Sequence, residues 1–340
     1  MIDGKLGIAI QGAGWVSTEH IRAYTRNPYA EVVAIGSRTL EGARAKRDQL
    51  GLTCEVYDDY DRLLADPRVD VISICTPPER HPLETIRGAE AGKHLLIEKP
   101  VATNVEDLYA MRDAVRKARV KTLVGFVLRW NPMFYAIKSL IANGALGDLF
   151  MAEVDYWHGR TINYAALANR SRRVPTMSTF LGGGCHAVDA ARYFVGSDVV
   201  EVSAYHAQAD RDVPVPLNTL AIVRFANGAM GKISASSELR SPYIFNVELL
   251  GNKGTIRNNQ VYSELFPGQT DYATIPTILP SSGDVAHHPF QGEIDHFVQC
   301  IRDDVESHAN LEDSVNTHEV CFAAEIAGTE GRSVKLPLGS

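Results

Sequence analysis

Two short segments of this chain carry side chains whose types and spacing could support redox chemistry on an alcohol. The first is an apolar run, Leu95–Ile97, that leads directly into Glu98 and Lys99. In the second, near the N-terminus, another apolar run ends in Gly12 and Gly14. A glycine turn between a strand and a helix can bind pyrophosphate on the exposed helix amides. A lysine at the end of a later strand of the same sheet can meet a substrate hydroxyl. The two segments therefore predict one cleft for a nicotinamide cofactor and an alcohol.

Alternating strands and helices in the first third of the chain must position these segments. Val69–Thr76 is almost wholly apolar, as expected of a central parallel strand that is buried on both faces. Strand–helix units that alternate in this way predict an α/β fold, a doubly wound Rossmann domain with right-handed crossovers. The other strands are predicted at Leu6–Ile10, Glu31–Gly36, Val56, His94–Ile97 and Lys121–Val127.

The pattern changes after Leu128, where several strands follow one another without intervening helices. Asn227 and Gly228 form the type of pair that makes a tight hairpin turn. Successive strands of this kind predict an α+β second domain with a large, mostly antiparallel open sheet. Two terminal helices, Phe290–Arg302 and Asn310–Gly328, are assigned to the same domain. The predicted domains are therefore residues 1–128 and residues 129–340.

The cofactor turn reads G-x-G-x-x-S, with Ser17 at the third small position. Gly12 and Gly14 permit a tight turn and close approach of a pyrophosphate. At the end of the second strand, Ser37 and Arg38 stand where an acid would favour NAD. A guanidinium suits the 2′-phosphate of NADP and can stack on adenine, so the sequence favours NADP. NAD and dual use stay open, as does a plain surface role for this arginine.

Several motifs together resemble the glucose-fructose oxidoreductase/inositol 2-dehydrogenase (Gfo/Idh/MocA) family. They are G-K-H-L-L-I-E-K-P at residues 92–100, C-T-P-P at 75–78 with His81, G-C-H-A-V-D at 184–189, G-F-V-L-R-W-N-P at 125–132 and F-Q-G-E-I-D-H-F at 290–297. The resemblance implies a Rossmann domain, a C-terminal domain with a large open sheet, and homodimers or homotetramers formed through that sheet. It also implies NAD(P)-dependent oxidation or reduction of sugars, polyols and related alcohols.

The resemblance assigns catalytic roles to two residues. Lys99 falls on the family's catalytic lysine, and the bond to Pro100 is expected to be cis. A lysine beside the positive nicotinamide ring can hold or help deprotonate a substrate hydroxyl. His186 falls on the acid/base histidine that takes the hydroxyl proton. The chain departs from the family at Gly182, where an aspartate commonly stands four residues before this histidine.

The predicted binding residues divide into two sets. In the substrate set, aromatic rings can stack on the apolar face of a sugar. Asp189 is included as a candidate substrate contact, although the family resemblance makes it look more like a structural partner. The substrate set is Arg129, Trp130, Tyr156, His158 and Asp189. The cofactor set is Gly12, Gly14, Trp15, Val16, Ser37, Arg38, Thr76, Pro77, Pro78, His81, Glu98 and Lys99.

Composition restricts the class of protein. A formal net charge of -7 without a basic run argues against a nucleic-acid partner. The sequence contains no apolar stretch of membrane-spanning length, and it starts without the pattern of a signal peptide. Its five scattered cysteines, with no C-x-x-C spacing, fit a reducing cytoplasm.

Other chemistries receive less support from the sequence. Cys185 beside His186 is a poor nucleophile–base pair, because neighbours on a helix point about 100° apart. Glu98 and Asp189 could be the paired carboxylates of a glycosidase, but the sequence does not give the distance between them. The residues His287, His288, Glu293 and His296 match no closed metal motif, so no metal is predicted. Two alternatives stay open: a redox-neutral hydrolase or lyase that oxidises its sugar transiently, and a non-catalytic nucleotide sensor.

Overall fold

The computed structural model of the protein describes residues 4–159, 177–209, 212–280 and 288–339. The chain forms two compact units. The first contains Met1–Phe126 together with Pro289–Val315. The second contains Val127–His288 and Asn316–Ser340. The sequence-derived division at residue 128 therefore differs from the structure in one respect: residues 289–315 had been assigned to the second domain, but they pack with the first.

The first unit is built on a six-stranded sheet whose strands are all parallel. Its strand order, β3-β2-β1-β4-β5-β6, is that of the doubly wound Rossmann fold. The apolar sequence of the central strands explains their burial, since helices cover both faces of such a sheet. The strands are β1 (Leu6–Gln11), β2 (Ala30–Gly36), β3 (Glu55–Tyr57), β4 (Val71–Ile74), β5 (His94–Ile97) and β6 (Thr122–Val124).

Five helices of this unit follow the strands. The side chains of Thr39, Asp59 and Asn104 cap three of them by accepting backbone N–H groups of the first turn, which satisfies donors that would otherwise lack partners. The helices are α1 (Trp15–Arg26), α2 (Leu40–Gln49), α3 (Tyr60–Leu64), α4 (His81–Glu90) and α5 (Val105–Ala118). A 3₁₀ turn, Pro78–Arg80, precedes α4.

The sixth strand is shorter than the sequence predicts. Lys121–Val127 was expected to be extended, but β6 ends at Val124. The following residues leave the sheet, and Val127–Trp130 forms a 3₁₀ turn instead. A continuous apolar run cannot by itself distinguish a strand from a buried turn.

Near its C-terminal end, the chain returns to the first unit. Helix α8 (Phe290–Arg302) packs against α1, and the ring of Phe290 lies 5.5 Å from the ring of His20. Asn27 donates a hydrogen bond of 2.7 Å to Asp295. Because these contacts join positions far apart in the sequence, no local pattern could indicate them.

The second unit contains a nine-stranded sheet of order β14-β13-β12-β11-β7-β10-β9-β8-β15. All neighbouring pairs are antiparallel except β7 and β10, which are parallel in the middle of the sheet. The sheet is therefore mixed but mostly antiparallel, as predicted. Its strands are β7 (Leu149–Trp157), β8 (Val199–Ala207), β9 (Asn218–Phe225), β10 (Met230–Ser236), β11 (Ile244–Gly251), β12 (Gly254–Arg257), β13 (Gln260–Ser263), β14 (Ala273–Thr274) and β15 (Val334–Lys335).

Helices α6 (Pro132–Ala142) and α7 (Cys185–Val195) belong to the second unit, and α7 continues directly from a π-helical turn, Phe180–Gly184. The last helix, α9 (Leu311–Glu330), begins in the first unit and ends in the second. In the described part of the chain, the helices are too short or too polar to cross a lipid bilayer.

Candidate functional site

The glycine turn at the end of β1 is shaped by the neighbouring main chain. Gly12 has a φ of +116°, and a Cβ there would lie only 2.6 Å from the carbonyl oxygen of Cys75. A side chain is therefore excluded by both conformation and space. By contrast, a Cβ on Gly14 would meet nothing within 4 Å. The turn thus lies against β4 on one side and faces open space on the other.

The start of α1 fits an anion. Its first turn carries no acidic residue, and the Gly14 cap supplies no side-chain acceptor for the exposed amides. Ser17, at the third small position, is fully buried and donates a 2.7 Å hydrogen bond to the Gly14 carbonyl. Trp15 is 57% exposed and Val16 is half-buried. Amide groups and the helix dipole therefore favour a pyrophosphate here, as in dinucleotide-binding proteins.

The tip of β2 presents Arg38 to solvent. Ser37 is half-buried, and its amide is bound to the Tyr57 carbonyl at 3.0 Å. Arg38 is exposed and makes no hydrogen bond, ion pair or ring contact with any residue that the structure describes. Its guanidinium is therefore available to a ligand.

After β4, buried polar side chains form hydrogen bonds with the C-T-P-P segment. Thr76 donates a 2.5 Å hydrogen bond to Glu84. The ring of His81 lies between two carbonyls, with Nε2 at 2.8 Å from Thr76 O and Nδ1 at 3.0 Å from Pro100 O. Burial lowers the pKa of His81, so the neutral ring donates to one carbonyl at a time. His81 thereby links this segment to the turn after Pro100. Pro77 is exposed and Pro78 half-buried.

The turn after β5 carries Glu98 and Lys99. The Lys99–Pro100 peptide is cis, as the family resemblance implied. Glu98 is 9% exposed, and its carboxylate receives a 3.0 Å contact from His20 Nε2 and a 3.2 Å hydrogen bond from the Lys99 amide. Lys99 itself is half-buried. Within the first unit, the parallel strands β1, β4 and β5 are neighbours, so their carboxyl ends bring the glycine turn, the C-T-P-P segment and Lys99 to one edge of the sheet.

In the second unit, a glycine run allows the π-helical turn to lie close to the sheet. A Cβ on Gly183 would lie 2.3 Å from the Tyr156 ring, and one on Gly184 would lie 2.8 Å from Ala235 Cβ. Gly182 is less confined, because its nearest obstacle is the flexible tip of Met177 at 3.2 Å. The close approach places the first turn of α7, with His186, against β7.

Aromatic and imidazole rings surround His186, which is 4% exposed. Tyr156 stacks on it at 6.2 Å with an interplanar angle of 23°, and His288 meets it edge-on at 6.4 Å. Tyr243 contacts the rings of both Tyr156 and His158 at 5.5 Å. We call Tyr156, His158, His186, Tyr243 and His288 the ring cluster. It combines apolar faces with polar edges, which is the composition that binds sugars.

Arg129 and Asp189 bind each other in the second unit. The pair is bidentate, with Nε–Oδ2 at 2.9 Å and Nη2–Oδ1 at 2.5 Å, and both residues are 2% exposed. The guanidinium also lies 4.9 Å from the ring centre of Tyr193. The pair links the turn before α6 to α7, and Trp130 beside it is 4% exposed. Substrate contact by these three residues stays a prediction.

Sequence reasoning missed His20 and Tyr243, and it considered Glu293 only as a metal ligand. The hydroxyl of Tyr243 is buried without a hydrogen-bond partner among the described residues, and burial raises its pKa well above the usual value. Tyr243 directly precedes β11, whose first residue pairs with the last residue of β7, and no sequence pattern indicates that pairing. His20 offered no signal either, since its partners are distant in sequence.

The structure also bears on two other chemistries, a metal site and a cysteine nucleophile. His287 lies outside the described residues, and among the described residues there is no group of three or more His, Cys, Asp or Glu side chains suited to hold a metal. Cys185 is buried, and neither it nor any of the other four cysteines forms a disulfide.

Comparison with known proteins gives the family. Residues 6–126 match the family described as "Oxidoreductase family, NAD-binding Rossmann fold", and residues 134–257 match the "GFO/IDH/MocA C-terminal domain". The uncharacterized oxidoreductase YrbE of Bacillus subtilis is 30% identical over 72% of this chain and 71% of its own length. The chain belongs to the GFO/IDH/MocA oxidoreductase family. Membership makes it an enzyme with an NAD-binding Rossmann domain.

Two further relatives cover nearly the whole chain. The scyllo-inositol 2-dehydrogenase (NAD(+)) of Bacillus subtilis is 26% identical over 98% of this chain and 97% of its own. The structure of a levoglucosan dehydrogenase in complex with NADH and levoglucosan has a TM-score of 0.89 at 22% identity, covering 98% of this chain and 99% of that one. The second likeness is one of fold. None of these relatives favours the redox-neutral hydrolase or the non-catalytic sensor.

Proposed function

We propose that this GFO/IDH/MocA enzyme is an NAD(P)-dependent dehydrogenase or reductase that transfers a hydride between nicotinamide and a CH–OH carbon of a sugar, polyol or sugar derivative. The observation that carries the proposal lies in the first unit: the glycine turn after β1 and Lys99 after β5 occupy one edge of a parallel sheet. The names of the inositol and levoglucosan dehydrogenases among its relatives support the substrate class.

Each site residue receives a role in this proposal. Bound nicotinamide supplies the hydride acceptor or donor. Lys99 holds the substrate hydroxyl, and His186 takes its proton as the alcohol becomes a carbonyl. Tyr156 and His158 offer ring faces and edges to the sugar. Arg129 and Asp189 act through their ion pair, which fixes the start of α6 against α7. At Gly182 the sequence has no side chain where many family members carry an aspartate four residues before the histidine.

We further propose that the enzyme uses NADP in preference to NAD. Support comes from Arg38, which is exposed at the tip of β2 beside the hydroxyl of Ser37. No acidic residue stands at this tip to accept a bond from the ribose 2′-hydroxyl. A free guanidinium recognises a phosphate by charge and by paired donors.

We also propose a homodimer or homotetramer formed through the sheet of the second unit. One face of that sheet exposes large apolar side chains on neighbouring strands, and such a patch marks an interaction surface. They are Tyr205 at 78%, Leu220 at 44%, Ile222 at 50% and Met230 at 51% exposure. Sedimentation of Ile222→Glu against wild type tests this: the charged variant should sediment as a smaller species.

A cytoplasmic location completes the proposal. All five cysteines are buried and none forms a disulfide, as is usual for proteins of a reducing compartment. Thiol titration of freshly isolated, denatured protein should count five free groups.

A substrate panel tests the proposed activity. Aldoses, ketoses, inositols and anhydrosugars are each mixed with NAD or NADP, or with the reduced cofactors, and nicotinamide absorbance is followed. The expected result is net reduction or oxidation of added cofactor with at least one sugar or polyol. Turnover without net cofactor change, by protein that is isolated with cofactor bound, would instead identify a redox-neutral enzyme.

Lys99→Ala provides the mechanistic test. It should lower kcat by a factor of about 10³ while leaving the cofactor dissociation constant nearly unchanged. Lys117→Ala, an exposed lysine on α5, is the matched control and should retain full activity. Near-normal turnover of Lys99→Ala would remove this lysine from the mechanism.

A further inference from the structure

A buried group of polar side chains lies behind the Lys99 turn, entirely within the first unit. His20 on α1 is fully buried, and its Nε2 lies 3.0 Å from Oε1 of Glu98. Its other nitrogen, Nδ1, lies 2.7 Å from the Ser73 hydroxyl at the end of β4. Nε2 donates to the carboxylate, which can only accept, whereas the Ser73 hydroxyl can accept from Nδ1 of an imidazolium or donate to Nδ1 of a neutral ring.

Glu98 is fixed by contacts on two sides. Its second oxygen accepts the Lys99 amide at 3.2 Å. The absence of a side chain on Gly125 leaves room for the carboxylate, since a Cβ there would lie 3.0 Å from Oε1. These contacts hold the Glu98 carboxylate beside the backbone amide of Lys99.

The pKa shifts of His20 and Glu98 agree with this geometry. Burial alone would lower the pKa of His20, but contacts with Cys75 and Glu98 raise it well above its usual value. Burial would likewise raise the pKa of Glu98, but the hydrogen bond from His20 and the charges of His20 and Lys99 lower it. Both directions indicate an imidazolium–carboxylate pair.

Other titratable groups face this pair. Glu293 on α8 is buried, and neither of its carboxylate oxygens has a hydrogen-bond partner among the described residues. Burial and the charge of Glu98 raise the pKa of Glu293 well above its usual value. The shift disfavours a second negative charge beside the pair. The remaining groups that face the pair are Tyr24, Cys75, His81 and Lys99.

We propose that His20 and Glu98 are positioning residues for Lys99: an imidazolium on α1 holds the Glu98 carboxylate, which in turn fixes the Lys99 backbone. The inference rests on the proposed function of Lys99. Neither residue needs to contact substrate or cofactor for this role.

The first experiment needs no cofactor and no substrate. Nitrogen-15 NMR of the apoprotein reports whether each histidine ring carries one proton or two, and the His20 signal is assigned by its loss in His20→Gln. His20 should remain doubly protonated up to pH 8. A neutral His20 ring at pH 7 would overturn the proposal, whatever the activity of the enzyme.

The second experiment separates charge from packing. Glu98→Gln keeps the size of the side chain but removes its charge, so kcat should fall at least 10-fold while the KM for cofactor changes less than about 3-fold. If kcat and the KM for cofactor change together, or if kcat stays near the wild-type value, Glu98 has a merely structural role.

Two substitutions of His20 complete the test. His20→Gln retains a donor for Glu98 and should keep several times more activity than His20→Leu, which retains none. Equal activities of the two would contradict the proposal. The matched control is His94→Gln, since His94 is a half-buried histidine of the same unit that accepts the Lys121 amide at 3.0 Å. It should leave kcat and the KM for cofactor unchanged. If the wild type oxidises no alcohol, the proposed function fails, whereas the NMR result still decides the state of His20.

Discussion

The two units confine their glycines with different kinds of obstacle. Gly12 in the first unit faces main-chain atoms, with the Cys75 carbonyl 2.6 Å from where a Cβ would stand, and its φ is positive. Gly183 in the second unit faces a side chain, the ring of Tyr156, at 2.3 Å. Main chain fixed in a sheet cannot withdraw, but a ring can be replaced. The nucleotide turn is therefore fixed by its backbone, whereas the place of His186 depends on which side chains surround it.

A related contrast holds for two carboxyl groups, one buried in the first unit and one half-buried in the second. In the first unit, Glu98 has a cationic partner in His20, and its pKa is lowered. In the second unit, Glu325 on α9 has no such partner: His206 lies 3.8 Å away, and burial lowers the pKa of that histidine, which keeps it neutral. Burial raises the pKa of Glu325 to about 7. At neutral pH, a carboxylate with a cationic partner stabilises the folded state, whereas one without a cationic partner destabilises it.

The largest effect is expected at Gly12. Gly12→Ala combines an unfavourable φ with a main-chain clash, so it should cost about 4 kcal/mol of unfolding free energy. NAD(P) affinity should fall at least 100-fold, measured by fluorescence titration at a temperature where the variant is folded. Gly14→Ala meets open space and is the control for stability. Normal cofactor affinity in Gly12→Ala would show that the turn does not bind pyrophosphate.

Gly183→Ala should cost about 3 kcal/mol, since the new methyl group overlaps the Tyr156 ring. Gly182→Ala should cost under about 1 kcal/mol, because only the flexible tip of Met177 must move. Denaturant unfolding measures both. Adding Tyr156→Leu to Gly183→Ala should restore much of the lost stability, whereas no side-chain change relieves Gly12→Ala. Without such a rescue, the proposed difference between the two obstacles would be wrong.

Glu325→Gln tests the contrast between paired and unpaired carboxyl groups. A folded-state pKa of about 7, above the usual 4.5, means that the folded protein holds this proton more tightly than the unfolded chain. The stability it contributes is therefore present below pH 4.5 and lost as the pH rises through 7. Because glutamine resembles the protonated acid, the variant should be more stable than wild type by about 3 kcal/mol at pH 8 and nearly equal to it near pH 4.5.

The control for that prediction is Glu330→Gln. Glu330 is exposed and paired with Arg332 at 2.6 Å, so its loss should change the unfolding free energy by less than about 0.5 kcal/mol at either pH. If Glu325→Gln has the same effect at pH 8 and pH 4.5, the acid is not protonated in the folded protein.

The smallest effect is expected at Arg38. Arg38→Ala should raise the KM for NADP about 10-fold and leave that for NAD nearly unchanged, because only NADP carries the 2′-phosphate. Arg44→Ala removes the same charge from an exposed position on α2 and should alter neither value. Equal changes for both cofactors would refute the assignment of NADP.

Prediction from sequence succeeded where strand ends alone decide the outcome. The apolar runs before Gly12 and Glu98, and the glycine turn itself, indicated a parallel sheet and its functional edge. The ring cluster was predicted only in part: Tyr156, His158 and His186 were named as site residues, but Tyr243 was not. Its contacts depend on the pairing of β11 with β7, and strand neighbours in a mixed sheet do not follow from chain order.

The sequence by itself determined the family and the doubly wound fold of the first unit, because these depend on short motifs and on periodic burial. Only the tertiary structure decided the return of residues 289–315 to the first unit, the parallel pair β7–β10 and the pairing of His20 with Glu98. These contacts join residues that are remote in the chain. Each is selected by the packing of whole elements, and a single sequence carries no local mark of it.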